Sequence, residues 1–256
     1  MISRDDGFRL PLKWKFPDSG KYGFTFVSLL VILFAVYSNS FYGDWHFDDF
    51  ANISSNPYIQ IKDFSWENIK HCIYGLEQKQ PSRPLSYLSF ALNYYFDGTN
   101  VFGYHVVNFT IHYLSALFLF LFIHNTLKLP LLQDRYEKIA YPVALLAAFF
   151  WAINPVFVTS VTYIVQRMAA MAGMFYIMAM YFYLKGRQAE KSSSAVVFFL
   201  LCFVAGFASL LSKENSVMLP VSILLFDLLL IQGVSRDSIV QFLKIIIIPV
   251  IVIAVF

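Results

Sequence analysis

Apolar residues fall along the chain in seven runs, 22–41, 104–126, 139–156, 162–184, 195–211, 217–231 and 242–256, separated by short polar segments and one long loop. Crossing about 30 Å of hydrocarbon takes roughly 20 residues of helix. The pattern therefore predicts an all-α integral membrane protein of about seven transmembrane helices. The first run is too long for a cleavable leader and has no small-residue cleavage site behind it, so it reads as a signal anchor. The last run is still apolar at Phe256, so the chain reads as the N-terminal part of something longer, truncated at its C-terminus. In domain terms this makes 1–21 a cytoplasmic segment and 22–256 one transmembrane domain.

The long loop, 42–103, is too apolar and aromatic to be a free linker. Its stretch 64–74 predicts a short helix with Ser65 as cap, and 84–96 predicts a second, with Pro84 in the first turn. Leu85, Leu88, Leu92 and Tyr95 recur at helical spacing, while Tyr87, Tyr94 and Phe96 suit a headgroup level. Both are expected to lie on the membrane surface as interfacial helices.

Orientation follows from the cations, which concentrate on the cytoplasmic side. With the N-terminus inside, only Lys62, Lys70, Lys79, Arg83, Arg167 and Lys213 of the 19 Lys and Arg residues face outward, although the outer loop is the longest. The long loop is then extracytoplasmic.

Composition agrees: hydrophobic residues make up 58% of the chain and charged residues 14%, against roughly a quarter charged in soluble domains. A formal net charge of +3, with no basic cluster, excludes an electrostatic case for nucleic acid. Cys72 and Cys202 fall in a loop and an apolar run, so no disulfide between them is expected. No Cys/His cluster has metal-ligand spacing, and no Gly-rich phosphate loop or nucleophile elbow is present.

The polar residues that interrupt this pattern gather on one side. Asp48 and Asp49 follow the first run, Arg83 precedes the second loop helix, and His105 enters the second run. Asn154-Pro155 closes the third, Arg167 opens the fourth, and Lys213-Glu214 separates the fifth from the sixth. All lie on the outer face. A cation at the bilayer centre costs about 2.5–3.5 kcal/mol, so span ends are tolerable places for these groups. One outward cavity holding carboxylates and cations would suit sugar transfer: a carboxylate takes the acceptor's proton, and cations hold the departing phosphate. Each residue also has a plainer reading. The Asp pair could be a solvated turn, Arg167 an interfacial anchor, Lys213-Glu214 a loop ion pair, and His105, His112 and Asp227 helix-packing groups.

Phe47-Asp48-Asp49 with Asn52 and Asn56, then Ser82-Arg83-Pro84-Leu85, resemble the membrane O-mannosyltransferases that carry tetratricopeptide repeats. The resemblance continues through 92–95 and 103–108 to His112, then Asn154-Pro155-Val156, Gln166-Arg167 and Ser212-Lys213-Glu214-Asn215, and reaches Asp227-Leu228. It implies a type C glycosyltransferase fold, close to bacterial members of that group, in a bacterial inner membrane with its active face outside. It further implies a polyprenyl-phosphate sugar as donor, an acceptor protein or glycan, and no cofactor or metal. Carried over, Asp48 or Asp49 would be the catalytic acid pair's base, Arg83, Arg167 and Lys213 would bind the donor phosphate, and His105 and Glu214 would support them. Eukaryotic members have a His-Pro-x-His-Thr-Glu stretch where this chain reads Asn154-Pro155-Val156-Phe157-Val158-Thr159. The functional expectation is transfer of a sugar to an extracytoplasmic acceptor, a protein Ser or Thr. The alternative is a non-catalytic membrane subunit using the same fold within a larger complex.

Overall fold

The computed structural model describes residues 18–76 and 81–238, and among them there are helices, turns and loops but no strand. In order they are α1 (Asp18–Tyr37), α2 (Trp66–Tyr74), α3 (Pro84–Asp97), α4 (Val101–Thr126), α5 (Gln133–Tyr136), α6 (Ala140–Ala152), α7 (Val158–Thr162), α8 (Arg167–Arg187), α9 (Ser192–Ser212) and α10 (Leu219–Phe226). A π-helical stretch, Asp227–Gln232, continues α10.

Five helical segments are long and apolar enough to cross a membrane: Gly20–Tyr42, Val101–Thr126, Ile164–Arg187, Ser192–Ser212 and Glu214–Gln232. A sixth is reached if Gln133–Ala152 and Pro155–Thr162, which bend by 51°, count as one span. The run 242–256 and most of 1–21 lie outside the described residues.

The bend corrects the expectation of one continuous helix over 139–156. Proline disfavours the helical conformation of the residue before it, and Asn154 is extended (φ −65°, ψ 128°). Its side chain then accepts from Val156 N at 3.0 Å and starts the next helical turn. The Ala152 carbonyl, orphaned by the break, meets His112 Nε2 at 2.8 Å and accepts from the Tyr37 hydroxyl at 3.2 Å. That carbonyl is thus served by side chains of two neighbouring helices, α4 and α1.

Helix α4 is the pivot of the bundle, packing against α1, α3, α6, α7 and α8. Ala140, Ala144, Ala148 and Ala152 recur every four residues on α6 and are fully buried. That small-residue ridge lets neighbouring helices approach closely: Ala144 and Ala148 sit under Phe120, and Ala152 packs with Tyr37 and Phe109.

The long loop forms a lid with a core of its own. Ile53, Ile59, Ile61 and Cys72 pack onto Tyr87, Phe90 and Ala91 of α3, Tyr104 of α4, and Ile164, Val165 and Met168 at the start of α8. Ser65 caps α2 by accepting from Asn68 N at 3.4 Å, and Pro84 opens α3, as the sequence predicts. Phe47, Trp66 and Phe96 are 87%, 74% and 75% exposed. Rings this open on one end of a membrane protein suit the headgroup layer.

Candidate site at the loop end of the bundle

The two aspartates have different surroundings. Asp49 is fully buried, and its carboxylate accepts from His46 N at 3.0 Å and from Val165 N at 2.7 Å. It therefore latches the loop to the turn that starts α8. Burial pushes its carboxyl above the ordinary value, against the pull of those two N–H donors and of His46 and His105 nearby. Asp48 is exposed. Its main chain is held on both sides: the Tyr163 hydroxyl accepts from its N–H at 3.0 Å, and its carbonyl accepts from Asn52 Nδ2 at 2.9 Å. Asn52 is fixed in turn by the Tyr87 hydroxyl at 2.8 Å. Among the described residues no hydrogen bond or ion pair engages the Asp48 carboxylate.

The residue before it, Phe47, has φ +39°, and Arg83 has φ +47°. They are the two non-glycine residues with positive φ among those described, and left-handed bulky residues are uncommon and strained. Both flank the candidate chemistry.

Arg83 forms a two-pronged pair with Glu214, Nε to Oε2 at 2.9 Å and Nη2 to Oε1 at 2.6 Å, and its third nitrogen reaches Met168 Sδ at 3.5 Å. The pair is solvent-accessible, the Glu214 side chain 69% exposed. Lys213 is half-buried beside it, and Ser86 binds the α9 end by donating to the Ser212 carbonyl at 3.0 Å.

Arg167 is neither exposed nor anchored at an interface: it is fully buried. Nε donates to Asn108 Oδ1 at 2.7 Å, Nη1 to Asn93 Oδ1 at 2.6 Å and the Ser89 carbonyl at 3.2 Å, and Nη2 to the Tyr104 carbonyl at 2.9 Å. The guanidinium also lies over the Phe90 ring at 4.6 Å. Its forked donors are spent on α3 and α4, so this geometry makes it the knot joining three helices and offers no face to a phosphate. His105 is likewise buried, with Nε2 3.0 Å from the Gly43 carbonyl and Nδ1 3.4 Å from the Val161 carbonyl. It braces the loop's first turn.

The structure thus brings six of the seven expected residues to one turn. Asp49 binds Val165 and Arg83 reaches Met168, three residues along, with Arg167 between; Glu214 joins through Arg83 with Lys213 as its chain neighbour, and Asp48 adjoins Asp49. The seventh, His105, lies near Asp49 but spends its ring nitrogens on the Gly43 and Val161 carbonyls. Tyr163 is the participant that sequence reasoning missed; a lone tyrosine in an apolar stretch carries no signal of its own. Asp227 stands apart, at the far end of the bundle, in an ion pair with Arg187 at 3.0 Å and a hydrogen bond from Tyr183 at 2.8 Å, and serves helix packing there. Among the described residues no three His, Cys, Asp or Glu side chains group as a metal-ligand set.

No family model and no solved structure matches the chain. It is 28% identical to the human protein O-mannosyl-transferase TMTC4 over 230 residues, 84% of this chain and 30% of that protein. A Caenorhabditis elegans protein O-mannosyl-transferase is 29% identical over 71% of this chain and 25% of its own length. The mouse protein O-mannosyl-transferase TMTC1 is 26% identical over 75% of this chain and 21% of its own length. The chain spans less than a third of the length of the curated relatives it matches.

Proposed function

We propose that the chain carries the active face of a membrane glycosyltransferase that moves a sugar from a polyprenyl phosphate to a Ser or Thr hydroxyl of an extracytoplasmic protein. The relatives are named as protein O-mannosyl-transferases, so mannose is the first sugar to test. The observation that carries the reading is the contrast within the acid pair: Asp49 is locked into the fold, whereas Asp48 has a fixed backbone and an open carboxylate.

In this reading Asp48 takes the acceptor's hydroxyl proton as the acceptor oxygen bonds to the sugar's anomeric carbon. The bond from that carbon to the phosphate oxygen breaks, and its electron pair leaves with the polyprenyl phosphate. Lys213 and Arg83 stabilise the growing phosphate charge, Glu214 aiming the Arg83 fork until the phosphate competes for it. Arg167, expected to touch the phosphate itself, instead ties the start of α8 to α3 and α4, beside the Met168 and Val165 that Arg83 and Asp49 reach.

Transfer of radiolabelled mannose from polyprenyl-phosphate mannose to membrane protein tests this. Asp48→Asn is expected to lower the turnover number by about 10²–10⁴-fold while the protein elutes and melts as the native chain does. Full turnover in that variant overturns the assignment of Asp48 as base.

A further inference from the structure

The opposite end of the bundle holds a second polar concentration with a shape of its own. A cavity of about 100 Å³ is lined there by Lys21 and Tyr22 of α1, His124 and Lys128 at the end of α4, Glu137 and Lys138 before α6, and Tyr141. Helix α4 connects the two ends: from His105 to His124 it climbs 19 residues, roughly 29 Å, about the thickness of the hydrocarbon layer. The cavity therefore opens at headgroup level in the leaflet away from the acidic loop.

Its floor is rigid. Tyr22 meets Phe120 and His124 edge-on at 6.0 and 5.8 Å, and His124 stacks on Phe120 at 5.7 Å. Tyr141 donates to the Lys21 carbonyl at 3.1 Å and shares a hydrogen bond with Thr25 Oγ1 at 3.0 Å, tying α6 to the first turn of α1. Lysines from three separate segments, Lys21, Lys128 and Lys138, line this cavity together with Glu137, and Lys128 and Lys138 enter no salt bridge among the described residues. Snorkelling alone would send three lysines outward independently; it does not gather them around one braced cavity.

We infer that this cavity binds a phosphate group, that of an anionic phospholipid headgroup. Basic pockets between helices at the membrane surface recognise such headgroups, and a lysine serves a phosphate oxygen as a point charge. The lipid would clamp α1, α4 and α6 together at this end, independently of sugar transfer at the other.

The test is thermal unfolding of the detergent-solubilised chain with added phosphatidylglycerol, phosphatidylcholine or inorganic phosphate. Phosphatidylglycerol is expected to raise the melting temperature where phosphatidylcholine does not. The triple variant Lys21→Gln, Lys128→Gln, Lys138→Gln should need about tenfold more of it or greater. A charge-matched control at the same end, Arg135→Gln, Lys185→Gln, Lys191→Gln, should respond as the native chain does. A rise produced equally by inorganic phosphate supports the phosphate site and assigns it to a soluble ligand. An undiminished lipid response in the cavity variant, or an equal loss in the control, overturns the site.

Discussion

A buried cation has to be matched donor by donor, and Arg167 is. Each of its three nitrogens meets an acceptor on α3 or α4. A lysine keeps the charge but not the planar fork, and its three donors face four acceptors, so Arg167→Lys leaves at least one buried acceptor unmet, at about 1–3 kcal/mol. A fall in melting temperature of roughly 2–12 °C is the expected outcome, read by thermal unfolding in detergent; an unchanged midpoint would show that the knot contributes nothing. Asp49 offers a pH test. Its folded-state pKa is raised, so between the ordinary 3.8 and that higher value the native loop holds more proton than the unfolded chain. Its contribution to stability is therefore full below 3.8 and declines as pH rises through the folded value. Melting temperatures of the native chain should fall across that window relative to those of Asp49→Asn, which cannot titrate. Parallel curves would contradict the burial argument.

Among the elements, the lid depends on two turns that end its short helices with glycines of positive φ. Gly75 (φ +60°) closes α2, and an added Cβ would lie 2.5 Å from the Tyr87 ring; Gly98 (φ +59°) closes α3 with nothing within 4 Å. Both alanine variants incur backbone strain of about 1–2 kcal/mol, but only Gly75→Ala also pushes Tyr87, whose hydroxyl holds Asn52 beneath Asp48. Gly75→Ala should thus lose both stability and the proposed mannose transfer, and Gly98→Ala stability alone. Equal transfer rates in the two would mean that Tyr87 does not govern the placement of Asp48.

The molecule as a whole is a polarised bundle, with the acidic loop and its paired cations at one end and the lysine-lined cavity at the other. An impermeant maleimide can assign the ends to sides, because the native cysteines give little background. Cys72 is buried, its thiol pushed up to about 11 by that burial, and Cys202 is 9% exposed. Trp66→Cys, in the lid, should label in intact cells, and Arg135→Cys only after permeabilisation. The reverse pattern would invert the orientation drawn from Lys and Arg placement.

Hydropathy and spacing made the helices legible, because a membrane span must satisfy its own backbone over a length that the bilayer sets. Local chemistry marked the starts of α2 and α3 in the same way: a serine cap and a first-turn proline act on neighbours within four residues. The run 139–156 exposed the limit of that reading, since its bend is stabilised from outside by His112 and Tyr37, distant in sequence. The candidate site shows the same division. The charged residues stood out one by one at the span ends, but nothing local in Asp48-Asp49 tells which carboxylate is buried. Nor does local sequence pair Arg83 with Glu214, 131 positions away, or surround Arg167 with amides and ring faces. The sequence by itself determined a helical membrane chain whose candidate site residues stand at the span ends. Only tertiary packing decided which of them are consumed by the fold and which stay open, because burial and hydrogen-bond partnership depend on helices that meet across the bundle.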